Sequence, residues 1–197
     1  MARISARERR QDFIEATIKV ITEHGVANAT TRRIAEAAGS PLASLHYVFH
    51  TKDELFCAVY ESLINMPQKS LQNMPENSTT AEAVGEILRS LVRWFTTNPD
   101  LATTQFELFF WNLRNNPDVA NKIYTASIEA TKQAIVSITA TELKPATLTA
   151  ISNLLINLFD GLLLSWSAHG NLERLEKETE TACRAVKLLI ASYQNAP

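Results

Sequence analysis

Cysteine is nearly absent: Cys57 and Cys183 are the only two in a chain of 197 residues. Two thiols so far apart exclude a disulfide framework and a cysteine metal site. A reducing cytoplasm is the compartment such usage expects. Glycine is scarce as well, five residues, and none forms a phosphate-cradling loop. No segment alternates apolar and polar residues as a strand does. The longest apolar run, Leu154–Trp166, is broken by Asn157, Asp160 and Ser165, too short and too polar to span a membrane. The opening residues MARISARERRQDF lack the apolar core of a signal peptide. There is no Ser-His-Asp or Cys-His constellation and no carboxylate pair with a defined partner, so neither an enzyme nor a cofactor is expected. His24, His46, His50 and His169 are scattered. His46 and His50 stand at i and i+4, but no third ligand lies nearby, so no metal is expected either.

Charge of one sign is also missing overall, and the net of −2 by itself argues against nucleic acid. The distribution argues the other way. Residues 1–52 hold eight Lys/Arg against five Asp/Glu, and the remainder holds eleven against sixteen. A basic end on an acidic body is the asymmetry of a protein that meets phosphate with one end.

What is present is helical period, and an apolar content of 46% that can bury a sizeable core. The most informative stretch is Thr30–Leu55, TTRRIAEAAGSPLASLHYVFHTKDEL. Thr30 or Thr31 can cap a short helix, whose narrow face is Ile34, Ala35 and Ala38. Gly39 can close it in the left-handed conformation. Ser40 can cap a second helix with Pro41 in its first turn, and Leu45 and Val48 are its buried face. Ala35 places only a methyl where the two helices approach. This is the helix-turn-helix pattern, with a second helix for the major groove. An ordinary helical hairpin in an all-α core is the alternative on this segment alone.

Thr30-Thr31, Ile34-Ala35, Ala38-Gly39, Leu45, Tyr47, Phe49, Lys52 and Leu55 together resemble the N-terminal signature of the tetracycline-repressor (TetR) family of transcriptional regulators. Three positions depart from it: Ser40 replaces an aliphatic residue, His46 replaces a tyrosine, and Val48 stands where an aromatic residue or histidine is frequent. None removes a helix or the turn. The resemblance implies an all-α fold of about nine helices, a DNA-binding head over residues 1–51 and a ligand-binding and dimerisation body over 52–197.

The DNA-contact candidates follow. Thr31, at a helix start, can clamp a phosphate, and Arg32 can reach a guanine edge with its fork. Arg33 is the weaker candidate because it can pair with Glu36. Leu42, Ala43, Ser44 and His46 face outward if Leu45 and Val48 face inward, and Ser40 lies at the turn. By resemblance, His46 and Tyr47 occupy an aromatic pair that meets phosphate, and Lys52 matches a phosphate-contacting lysine. His50 can join them. Arg3, Arg7 and Arg10 can reach backbone or minor groove, or be a solvated terminus.

Helix one is expected over Glu8–His24, ended by Gly25. Thr51 and Glu54 read as a capping box for helix four, and Gln68–Thr80 reads as a surface loop. Later helices are expected over Ala81–Thr97, Asp100–Arg114, Asn116 to about Thr141, Pro145–His169 and Leu172–Tyr193. The helix from Pro145 is apolar nearly all round and must be covered on both sides. Resemblance assigns it and the last helix to a homodimer contact, through Leu155, Leu158, Leu162, Trp166, Ala182, Ala185, Val186 and Leu189. Candidates for a small-molecule effector are Trp94, Gln105, Phe106, Phe109, Phe110, Trp111, Tyr124, Asn153, Asn157 and Asp160, with Asn112 among the polar groups. Asn153, Asn157 and Asp160 fall at i, i+4 and i+7, a polar seam on a greasy helix. The expected partners are therefore an operator in double-stranded DNA, an apolar or aromatic effector and a second copy, with no membrane. A helical homodimer that binds a protein and no DNA is the alternative.

Overall fold

The computed structural model describes residues 5–65, 79–139 and 143–194. Over them the chain forms nine α-helices and no strand. These are α1 (Ala6–His24), α2 (Thr31–Ala37), α3 (Leu42–Val48), α4 (Lys52–Asn65), α5 (Thr80–Thr97), α6 (Pro99–Asn115), α7 (Pro117–Ile138), α8 (Pro145–His169) and α9 (Leu172–Gln194). The all-α architecture is the one expected. The proposed loop at Gln68–Thr80 lies almost wholly outside the described residues, as do Arg3 and the expected end of α7 near Thr141.

Local chemistry sets most boundaries. Ser5 Oγ accepts the Glu8 N–H at 3.1 Å while Glu8 Oε2 accepts the Ser5 N–H at 2.8 Å, so α1 begins before Glu8. Thr51 Oγ1 accepts the Glu54 N–H at 3.0 Å, but the Glu54 carboxylate reaches one residue further back, to the His50 N–H at 2.9 Å. Thr79 and Glu82 close a second reciprocal cap. Pro99, Pro117 and Pro145 each open a helix, where a missing N–H costs nothing.

The chain divides into two compact units. The first holds α1–α3, α4 to Ile64, α6, and α7 as far as Tyr124. Its core is built from Phe13, Ile21, Ile34, Leu45, Phe49, Leu55, Phe56, Leu63 and Leu108, each at most 1% exposed. The end of α1 and the turn that follows it are tied to α6 by polar bonds as well. The Val26 N–H donates to Glu107 Oε2 at 2.7 Å, and the Thr22 and Thr104 hydroxyls lie 3.2 Å apart.

The second unit packs α5, α8 and α9 together. Phe95 meets Phe159 at 5.1 Å between ring centroids, and Leu155, Leu163, Leu175 and Val186 are fully buried. By length and composition α8 is apolar enough to cross a membrane, with a mean hydropathy of 1.5, which corrects the shorter apolar run read from sequence. A core helix of a bundle passes the same test, and Ile151, Leu155, Phe159, Leu162 and Leu163 of α8 are buried within this fold. Cys183 is buried and Cys57 half-buried, and burial pushes both thiols up, the signature of packing rather than reactivity.

Arg89 of α5 grips Glu180 of α9 through both oxygens, Nε–Oε1 at 2.6 Å and Nη2–Oε2 at 2.9 Å. Those hydrogen bonds hold the Glu180 carboxyl below its usual value, against a smaller opposing effect of burial. A depressed carboxylate contributes stability above its unfolded pKa and loses it as pH falls through the folded one. The Glu180 side chain is 54% exposed, so the pair is worth at most about 1 kcal/mol. Glu180→Gln is therefore less stable than wild type at pH 7 by that amount in urea denaturation. The gap closes as pH falls from the ordinary glutamate range through the lowered value of the folded protein, where the wild-type carboxylate takes up its proton.

Candidate nucleic-acid interface

The interface starts at the entry to α2. Thr30 is the cap: it sits in extended backbone and its Oγ1 accepts the Arg33 N–H at 3.3 Å. Thr31 is the first helical residue and is half-buried. Arg33 does not pair with Glu36. Its Nη1 donates to the Asn28 carbonyl at 3.0 Å, which ties it to the turn preceding the helix. Arg32 is exposed, with no side-chain bond to a described residue, and its whole guanidinium fork is available.

Alpha-two closes as glycine allows. Gly39 has φ +59°, a conformation that strains any residue with a Cβ. The Ser40 N–H then returns to the Ala35 carbonyl at 3.0 Å, and the Gly39 N–H to Glu36 at 3.0 Å. Ser40 is spent on this closure, since its hydroxyl also donates to the Ala38 carbonyl at 3.4 Å. It does not cap α3, contrary to the sequence expectation. Pro41 stands in the cap position instead, and its carbonyl accepts the Ser44 N–H at 2.9 Å.

Alpha-three is anchored by three residues rather than two. Leu45 is 1% exposed, and Leu42 and Val48 pack partly buried against the same core. Leu42 was expected to face outward, but at i−3 from Leu45 it shares the inner face. The outer row is Ala43, His46 and Tyr47, with Ser44 half-buried beside it. Tyr47 is 84% exposed, a large aromatic held in solvent. His50 is exposed just beyond. Arg10 stacks on the other side of the α3 terminus, its guanidinium carbon 5.0 Å from the Phe49 ring centroid.

Lys52 is placed differently from a simple surface lysine. Its ammonium lies 4.8 Å from the Phe56 ring centroid and 5.2 Å from that of Trp111. The two rings meet edge to face at 5.3 Å. Burial pulls the Lys52 pKa down, and Asp53 partly offsets it. Asp53 is itself engaged, its Oδ2 accepting from Asn116 Nδ2 at 3.0 Å. Trp111 thus packs on the start of α4. Sequence reading did not find this role, nor those of Glu107 and Asn116. Helical period shows that α6 has an inner face without naming the helix it covers.

The remaining effector candidates fall in both units. In the first, Phe109 sits 5.8 Å from Phe110 and 5.9 Å from Tyr124, and Phe106 stacks on Phe110 at 6.4 Å. Gln105 is buried, and Asn112 is fully so. Asn112 Nδ2 donates to the Leu108 carbonyl at 2.9 Å, while its Oδ1 has no partner among the described residues. In the second unit Trp94 packs edge to face on Phe95 at 4.6 Å. Asn153 and Asn157 are exposed and Asp160 half-buried. The polar seam of α8 therefore faces outward rather than into a greasy interior.

The expected dimer residues divide as well. Leu155, Leu162, Ala182 and Val186 are at most 8% exposed and spend their surface inside their own unit. Leu158, Trp166 and Leu189 are half-buried and Ala185 is exposed. Outer apolar residues that sequence reading passed over are Leu164, 45% exposed, and Leu188, 73% exposed. Among the described residues no group of three or more His, Cys, Asp or Glu could hold a metal.

Comparison with known proteins agrees with this geometry. Residues 13–59 match the family described as bacterial regulatory proteins, tetR family. The nicotine-responsive transcriptional repressor HdnoR of Paenarthrobacter nicotinovorans is 28% identical over 169 residues, 84% of this chain and 87% of that protein. The regulator PksA of Bacillus subtilis is 44% identical over 52 residues, about a quarter of each chain. Among solved structures, the multidrug-binding protein EbrR complexed with ethidium aligns with a TM-score of 0.69 and 25% identity, covering 90% of this chain and 97% of that one. These similarities support a TetR-family transcriptional regulator, with residues 13–59 as its tetR-family domain.

Proposed function

We propose that the protein is a homodimeric repressor that leaves a palindromic operator when an aromatic small molecule binds it. The observation that carries the reading is α3, held by Leu42, Leu45 and Val48 while Ala43, His46 and Tyr47 face solvent. A short helix seated on one face and bare on the other is what groove entry requires. The outer row offers a methyl for thymine, an imidazole and a phenol, with Arg32 as the forked donor beside it.

The effector reading is supported by the aromatic group Phe106, Phe109, Phe110 and Tyr124 and by the orphaned Asn112 Oδ1. A buried acceptor without a donor is costly, and an N–H-bearing planar ligand would supply one. HdnoR is named as nicotine-responsive, and EbrR has structures with ethidium, proflavin and imidazole. The same chemistry is proposed here: a nitrogenous aromatic compound. Action at the operator then follows by linkage, since such a ligand weakens DNA binding only by its preference for the DNA-incompetent state. A cytoplasmic location goes with that role.

For the dimer, Leu164 and Leu188 are bare apolar side chains, and a methyl added at Gly161 of α8 would touch nothing. These support a second copy seated on α8 and α9. The test is fluorescence anisotropy against selected and random duplexes at two salt concentrations, combined with sedimentation. Selective binding by two protomers per duplex is expected, and Leu164→Glu with Leu188→Glu yields monomers that bind the duplex at least tenfold more weakly. Planar aromatic amines are screened on the protein alone by thermal shift, and those that stabilise it are expected to release DNA. Binding that is weak and equal for all sequences defeats the regulator reading in favour of a protein-binding dimer.

A further inference from the structure

We infer that Glu107 of α6 is a positioning residue for DNA binding: its carboxylate holds the turn before α2, and through that turn the residues that open α2. The inference rests on the proposed roles of Thr31 and Arg32 at the operator. Gly25, at φ +76°, ends α1 and leads the chain into the short turn Val26–Asn28. The first N–H of that turn, on Val26, donates to Glu107 Oε2 at 2.7 Å. It has no other acceptor among the described residues, so without Glu107 a half-buried donor stands unpaired, which is costly. One turn earlier on α6, the fully buried Thr104 brings its hydroxyl to 3.2 Å from that of Thr22. The two contacts lie side by side, on the end of α1 and on the turn beyond it.

The far end of the turn is where α2 starts. The Asn28 carbonyl accepts two donors, the Thr30 N–H at 2.9 Å and Arg33 Nη1 at 3.0 Å. Asn28 Nδ2 donates back to the His24 carbonyl at 3.0 Å, and Thr30 caps α2. A run of hydrogen bonds thus leads from α6 through a turn of three residues to the cap. Alpha-two has seven residues, too few to fix its own entry, so its frame comes from what precedes it. Arg32 has no side-chain bond to a described residue, and only the backbone beneath it sets where its fork begins. Glu107 carries the sign that phosphate repels, and it acts by placing Thr31 and Arg32 rather than by touching DNA.

Full-length protein is titrated by anisotropy with a duplex selected from a random library. Glu107→Ala is expected to weaken binding about 3- to 10-fold, the factor by which one ordinary hydrogen bond biases a local equilibrium. Glu107→Gln, whose amide oxygen still accepts an N–H, is expected to recover most of that loss. Arg32→Ala is expected to cost less in the Glu107→Ala background than in the wild type, since a misplaced fork has less to lose. A general loss of folded protein leaves the cost of Arg32→Ala the same in both backgrounds, so this comparison separates placement from folding. A Glu107→Ala protein that is folded by circular dichroism and binds like the wild type overturns the inference. So does Glu107→Gln binding as weakly as Glu107→Ala, because the accepted N–H is then not the cause. An equal cost of Arg32→Ala in both backgrounds, no cost in either included, overturns it as well. If Glu107→Ala does not fold, Glu107→Asp, one methylene short of Val26, replaces it in every titration with the same expected losses. Absence of selective binding by the wild type removes the regulator reading and this inference with it, whereas failure of Glu107 alone leaves wild-type binding intact.

Discussion

Leu45→Ala will cost the head about 2–5 kcal/mol and cut DNA affinity at least tenfold. Leu45 is the only fully buried residue of α3, a helix of seven residues, far below the length at which a helix persists by itself. Its anchorage is otherwise the half-buried Leu42 and Val48. Removing three carbons from a site with 1% exposure leaves a void in the core that Leu45 shares with Phe13, Ile34 and others. The helix then detaches locally, and binding must restore it before it can read DNA. Urea denaturation measures the stability loss, and anisotropy with a selected duplex measures the affinity. Leu45→Met, which conserves volume, should cost under about 1.5 kcal/mol and keep most binding. Equal binding by Leu45→Ala and wild type would mean that α3 is not the element that reads DNA.

Arg32→Ala has the second-largest expected effect, and it acts without touching the fold. Arg32 is exposed with no side-chain partner among the described residues, so its loss should change stability by less than about 0.5 kcal/mol. A bidentate contact to guanine carries about 1–3 kcal/mol of discrimination, roughly 5- to 150-fold. Affinity for the selected duplex should fall by that factor while affinity for random duplexes falls much less, which the same titration separates. If both fall together, Arg32 is a phosphate contact instead. Arg33→Ala should matter less, because that guanidinium is already bonded to the Asn28 carbonyl.

The helix boundaries were legible in the sequence because their causes are local. A serine or threonine with a glutamate three residues on, a proline at a first turn, or a glycine after a last turn acts within about four residues. Gly39, Pro99, Pro117, Pro145 and Gly170 all stand where that chemistry puts them. Misreadings came where one residue had two local uses. Ser40 can cap a helix or close the previous one, and the structure has it closing α2.

What the sequence by itself determined is the all-α architecture and the helix-turn-helix head, since both rest on period, caps and a left-handed glycine. Which helix covers which was decided by tertiary structure alone. Period gives a helix an inner face but no partner for it, so nothing in residues 99–124 announced that α6 would join the head and set Trp111 on Lys52. On α8, apolar nearly all round, period carries no phase at all. Only packing against α5 and α9 turned Leu155 and Leu162 inward and left Asn157 and Leu164 to solvent, because burial is a property of neighbours and not of the residue.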